Sequence, residues 1–300
     1  MLNNLIVSMI PLMPKSIVWA IGKKYIAGLK LDDAIRYTKE LNNNKCETTI
    51  DVLGEFVSNK ERAILERDAS LEVINAIHNE KLDSYLSIKP TSNGLGIDFE
   101  FGYENIKMLM EAAHKLNVFC RLDMENSPYT DSTIKLYRKL CEEGYNCGIV
   151  LQAYLKRTYS DIEALLPLNP NIRLCKGIYK ESPEIAYIGK EEIRDNFKKC
   201  LKLIVDNVPN AFPEVATHDE QLIQFAEKLI KEKELTSKQY SFSMLIGVRE
   251  ERRKKLISDG YKMLVYTPFG DDWYGYSTRR MKENPEIAGH VFRAMFGIGK

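Results

Sequence analysis

Arg279 and Arg280 stand side by side at the end of an aromatic run, in FGDDWYGYSTRRMKENP (269–285). On a helix, Trp273, Tyr276 and Arg280 fall on neighbouring faces through i+3 and i+4 steps. Two guanidiniums beside a Trp/Tyr surface suit a carboxylate or phosphate held in a small apolar pocket. The bland alternative is a solvated basic turn that pairs with Glu283. Further upstream, polar residues recur at the ends of apolar runs. Lys89 closes YLSIKPT (85–91), and Asp123 with Met124 closes VFCRLDME (118–125). Gln152 closes CGIVLQAY (147–154), and Arg173 and Lys176 lie in IRLCKGIY (172–179). Thr217 and His218 end FPEVATH (212–218), and Tyr266 lies in KMLVYTPFG (262–270).

Each has a plainer reading. A strand-end Asp123 can cap the following helix, Lys89 and Lys176 can be rim lysines, Gln152 can be an interior hydrogen bonder, and His218 a satisfied core histidine. Arg173 is the odd one: a charge two residues into an apolar strand needs a ligand or an acidic neighbour.

The elements that would position these residues follow one rhythm. With TTIDVLG (48–54) and YSFSMLIG (240–247), the apolar runs make eight strand candidates, rich in β-branched and aromatic residues. Helix-like stretches at 31–41, 58–79, 102–116, 131–143, 184–206, 219–234, 249–258 and 272–283 lie around and between them. Strand–helix alternation implies parallel strands with helical crossovers. Eight such units are the size of a (βα)8 TIM-type α/β barrel, whose chemistry sits at the C-terminal ends of the strands. The GxGxxG of an open dinucleotide-binding sheet is absent. The expected organisation is an N-terminal helical arm over 1–44 and a barrel over 45–300, with the last helix covering the active site.

Lys and Arg total 43 against 42 acidic residues, so no global field draws the chain to nucleic acid. The six cysteines form no CxxC pair, and no His/Cys cluster has zinc spacing. No metal is expected, and the thiols read as free in a reducing cytoplasm. Residues 5–21 are apolar but broken by Pro11, Pro14 and Lys15. That is too interrupted for a spanning helix, and it suits a packed arm or a segment lying on a membrane surface. Removing residues 1–25 is expected to leave the chemistry largely intact.

With these motifs in order, the sequence resembles the proline dehydrogenase family over about residues 45 to 290. FGDDWYGYSTRRMKENP is similar to that family's C-terminal signature. SIKPT, RLDMENS, VLQAYLKR, RLCKGIY, ATHD and FSMLIG resemble its successive strand ends. The resemblance implies a flavin, FAD with FMN as the alternative, and L-proline as substrate. It implies that Arg279, Arg280 and Lys89 hold the substrate carboxylate, with Tyr266, Tyr276 and Leu245 walling the ring. Arg173 would sit by flavin N5 with Asp123 as its catalytic companion. Met124, Gln152, Cys175, Lys176, Gly177, Thr217 and His218 would contact the flavin. Cys175 and Ile178 stand where the family often has Val and Ala. The resemblance further implies a single-function enzyme that oxidises L-proline to 1-pyrroline-5-carboxylate. The product would pass to a separate pyrroline-5-carboxylate dehydrogenase, and the electrons to a quinone at the inner face of the membrane. Two other readings stay open at this point. Lys176 could be a Schiff-base lysine of an aldolase, or the barrel could bind an amino acid without turning it over.

Overall fold

The computed structural model describes residues 14–283. Eight parallel strands close into a barrel in chain order: β1 (Glu47–Val52), β2 (Ser84–Ile88), β3 (Cys120–Leu122), β4 (Cys147–Gln152), β5 (Asn171–Cys175), β6 (Phe212–Ala216), β7 (Ser241–Leu245) and β8 (Met263–Phe269). Closure is made by β1 and β8, which pair from Glu47↔Leu264 to Val52↔Phe269. The expected α/β barrel is therefore present. A closed parallel sheet has no free edge, and its outer face must be covered by helices.

The helices are α1 (Lys15–Gly22), α2 (Leu31–Asn43), α3 (Lys60–Asn79), α4 (Phe99–Leu116), α5 (Thr130–Glu142), α6 (Thr158–Leu165), α7 (Lys190–Asp206), α8 (Glu220–Glu232), α9 (Glu250–Ser258) and α10 (Trp273–Glu283). Several start on side-chain caps. Asn59 accepts a hydrogen bond from the Arg62 amide at 2.8 Å, and Asp98 accepts one from the Phe101 amide at 2.9 Å. None of the described helices is long and apolar enough to cross a membrane.

The strands are shorter than the apolar runs. β3 keeps only three residues, and the chemistry-bearing ends of several runs lie in the loops that follow. At Gly177 the backbone turns to φ +104°, where an added Cβ would stand 2.2 Å from the Tyr154 ring, so strand geometry stops before it. Pro183 and Gly189 then keep residues 176–189 out of α7, which begins at Lys190 rather than 184. The short α6 was not picked out in the sequence, because Pro167 follows it within a few residues and leaves little periodicity.

Two features of the ends position the site. α2 packs on both β1 and β8, the seat an eighth crossover helix would take. α10 is thereby released to lie over the mouth, packed against α1. Trp19 meets Trp273 edge to face at 4.8 Å, and Gly22 lies so near Ser277 that an added Cβ would stand 2.6 Å from that residue's Cβ. Residues 5–13 of the proposed arm fall outside the described residues.

Candidate active site

Beneath α10, at the C-terminal ends of the strands, lies a cavity of about 640 Å³. Its size suits a cofactor or drug-sized ligand. Every site residue expected from the sequence lines it: Lys89, Asp123, Met124, Gln152, Arg173, Cys175, Lys176, Gly177, Thr217, His218, Leu245, Tyr266, Tyr276, Arg279 and Arg280.

Its centre is a hydrogen-bonded network built on Asp123. One carboxylate oxygen accepts from Ser87 Oγ at 2.7 Å and from Arg173 Nη2. The other accepts from Tyr266 OH at 2.8 Å. Asp123 is thus not a helix cap; it is the acidic neighbour that buried Arg173 requires. Burial alone would raise its pKa. Arg173, then Lys89, outweigh that and hold the carboxyl below its usual range. The Arg173 guanidinium also lies 4.9 Å from the Tyr266 ring centre. Its Nη1 is buried and has no hydrogen-bond partner among the described residues.

The three cations expected to meet a carboxylate each have company. Lys89 Nζ bonds to Asp51 and lies 3.3 Å from Tyr266 OH and 3.8 Å from Asp123. Arg279 pairs with Glu55 at 2.7 Å, while the Glu283 side chain falls outside the described residues. The Arg280 guanidinium sits 5.2 Å from the centre of the Tyr276 ring. Near neutrality the acids balance much of the positive charge, which a carboxylate-bearing ligand would have to redistribute.

On the opposite side, Gln152 Nε2 donates to the Glu125 carbonyl at 2.8 Å. The Thr217 hydroxyl accepts from the Asp219 amide at 3.1 Å. His218 Nε2 accepts from the Leu245 amide at 3.0 Å. Burial, reinforced by Arg280, Arg249 and Lys176, lowers its pKa to about 4, so the imidazole is neutral at working pH with its proton on Nδ1. Lys176 is 43% exposed in its side chain and pairs with Asp219 at 3.3 Å. The Cys175 thiol, pushed up by burial to about 11, donates weakly to the Leu151 carbonyl.

Sequence reasoning missed Asp51, Glu55, Glu125, Tyr179 and Tyr25. Asp51 carried the same signal as Arg173, a charge inside an apolar strand run. Glu125 is buried and accepts from the Thr91 amide at 2.8 Å and from the Thr91 hydroxyl. Burial pushes it up to about 7. Ser92 and Asn93 pin the loop after Lys89. Ser92 Oγ donates to the Gly54 carbonyl at 2.7 Å, and Asn93 Nδ2 to the Lys89 carbonyl at 3.1 Å.

The arrangement can fix a planar group against Arg173, meet an anion under α10, and enclose a small ring between them. A family model described as Proline dehydrogenase matches residues 34–293. Proline dehydrogenase 2 of Bacillus subtilis is 36% identical over 272 residues, covering 91% of this chain and 89% of that protein. Proline dehydrogenase of Deinococcus radiodurans is 32% identical over 285 residues, with 93% and 91% covered. Among solved structures, proline utilization A from Bdellovibrio bacteriovorus, inactivated by N-propargylglycine, superposes with a TM-score of 0.84 at 23% identity; the match covers 89% of this chain and 33% of that one, and bears on the fold alone. A family match across the whole barrel, joined to relatives above 30% identity over about nine-tenths of both chains, means that this chain belongs to the proline dehydrogenase family.

Proposed function

We propose that the chain oxidises L-proline to 1-pyrroline-5-carboxylate on a bound flavin, FAD in preference to FMN, and passes the electrons to a quinone. The observation that carries the flavin reading is Arg173. Its Nη2 is fixed by Asp123, while its buried Nη1 has no partner and the residue lines a cavity of cofactor size. A buried donor without a partner is costly, and the edge of a flavin ring would satisfy it. The chemistry a bound flavin supplies is acceptance at N5 of the hydride from the proline ring carbon next to nitrogen.

The protein's part is to bind, aim and exclude water. Met124, Gln152, Cys175, Lys176, Gly177, Thr217 and His218 would hold the cofactor. Arg173 would stabilise negative charge on its reduced form, and Asp123 keeps that guanidinium in place. Lys89, Arg279 and Arg280 would grip the substrate carboxylate, and Tyr266, Tyr276 and Leu245 would wall the ring. α10 would shield the reaction from bulk water. The quinone would approach by the rim, where Ile178 is 50% exposed, with the protein at the inner face of the membrane. The product would go to a separate pyrroline-5-carboxylate dehydrogenase.

The aldolase alternative rests on Lys176, whose exposure and pairing with Asp219 do not supply the desolvation that activates a Schiff-base lysine. The deciding measurement is a visible spectrum of the purified protein before and after anaerobic L-proline. The flavin band should bleach. A colourless protein that takes up no added flavin would sink the proposal.

A further inference from the structure

Asp51 lies on β1, 1% exposed, in register with Ser87 of β2 and Pro268 of β8, and it does not line the cavity. Its Oδ1 accepts from Lys89 Nζ, and its Oδ2 has no hydrogen-bond partner among the described residues. Stability alone does not account for a carboxylate there. Replacing a buried ion pair by well-packed apolar side chains is often neutral or stabilising, and an unsatisfied carboxylate oxygen adds to the cost.

What the carboxylate does is hold an ammonium. Without it, Lys89 is left beside Asp123, 3.8 Å away, whose oxygens already serve Ser87, Arg173 and Tyr266. A lysine drawn to Asp123 would compete with Arg173 and Tyr266 for that carboxylate and give up its own place in the cavity wall. Two jobs therefore meet at Asp51: fixing Lys89 Nζ at one point of the cavity wall, and keeping it off Asp123.

We propose that Asp51 is a positioning residue for substrate recognition, which anchors Lys89 Nζ so that it faces the proline carboxylate while the Asp123–Arg173 pair stays intact. This rests on the reading of Lys89 as part of the carboxylate grip. Because Asp51 acts through Lys89, its effect should vanish when Lys89 is absent, which a merely structural role would not do.

The test is a cycle of the holoenzyme with Asp51→Asn, Lys89→Met and the double variant, reading flavin content, kcat and KM for proline. Asp51→Asn should keep its flavin, raise KM at least tenfold, and lower kcat by less. The double variant, in which neither buried charge is left alone, should show a KM within twofold of Lys89→Met. If Asp51→Asn does not fold, the comparison of Lys89→Met with the double variant decides by itself. Multiplicative effects in the cycle, or a normal KM in Asp51→Asn, would overturn the inference while leaving the wild-type reaction standing. A wild-type flavin that proline does not reduce would overturn both.

Discussion

Asp123 joins three strands through one side chain, and Tyr266 is the member of that network a ring substrate would meet. The tyrosine OH is committed, donating to Asp123 and lying 3.3 Å from Lys89 Nζ. A 4-hydroxyl turned toward this wall would give up water without an unengaged partner, at about 1–3 kcal/mol. L-proline should be preferred over trans-4-hydroxy-L-proline by at least about tenfold in kcat/KM, or roughly 1.4 kcal/mol. Tyr266→Ser should narrow that gap, mostly by weakening proline; equal wild-type efficiencies would move the wall elsewhere. Glu125 allows a test that needs no substrate. Burial raises its pKa to about 7 in the folded protein, from near 4.5. A raised carboxyl contributes stability below its unfolded pKa and loses it as pH climbs through the folded one. The Glu125 contribution to the wild-type melting temperature should therefore fall between about pH 5 and pH 8. Glu125→Gln should flatten that slope, and parallel curves would assign the titration elsewhere. At this scale the sequence exposed the residues that break an apolar run at its end. Arg121 and Glu214, a fully buried pair across the barrel interior, escaped notice. So did Asp51. Such residues make sense only beside a partner on another strand, and one-dimensional spacing does not show which strands face each other.

Elements were legible as a rhythm and less so as boundaries. The eight runs became eight strands in order because β-branched stretches between amphipathic helices have one economical closure, the parallel barrel. Strand ends were overread because the residues after them stay apolar or aromatic while the backbone turns away, as in residues 176–179 after β5. Gly177 is the clearest case. At φ +104° and with the Tyr154 ring against its α-carbon, an alanine would be strained twice. Either the loop or Tyr154 must move, and this loop carries Lys176 and borders the cavity. Gly177→Ala should therefore lower bound flavin per protein, read as the ratio of visible to ultraviolet absorbance, while the flavin-free protein stays folded. A variant with full flavin content would show that the loop does not hold the cofactor.

At the scale of the whole molecule, the described ends of the chain meet over the active-site mouth. α2 occupies the seat between β8 and β1, so the last helix covers the cavity, and α1 packs on that helix from outside. The Ala27 amide donates to the Pro268 carbonyl at 2.8 Å, and the Gly270 amide to the Gly28 carbonyl at 3.2 Å, tying the incoming chain to the end of β8. Tyr25 itself lines the cavity. The sequence suggested that residues 1–25 were dispensable for the chemistry, because an apolar, proline-broken stretch advertises no contact with a distant helix. The contacts of residues 14–25 favour a cost in substrate binding: removing them would strip Trp19 from Trp273, uncover Ser277, and open the wall at Tyr25, which packs with Tyr276 one turn before Arg279 and Arg280. Both arginines remain in the truncated chain, so the expected loss is in their placement. KM for proline should rise several-fold with a dye as acceptor, kcat should change less, and flavin content should hold, since the residues proposed to bind it lie on β3 to β6 and their loops. The single substitution Gly22→Ala should shift KM in the same direction by wedging α1 away from α10. If truncation leaves KM untouched while slowing quinone reduction on lipid vesicles, the arm serves the membrane and α10 holds its position over the cavity unaided.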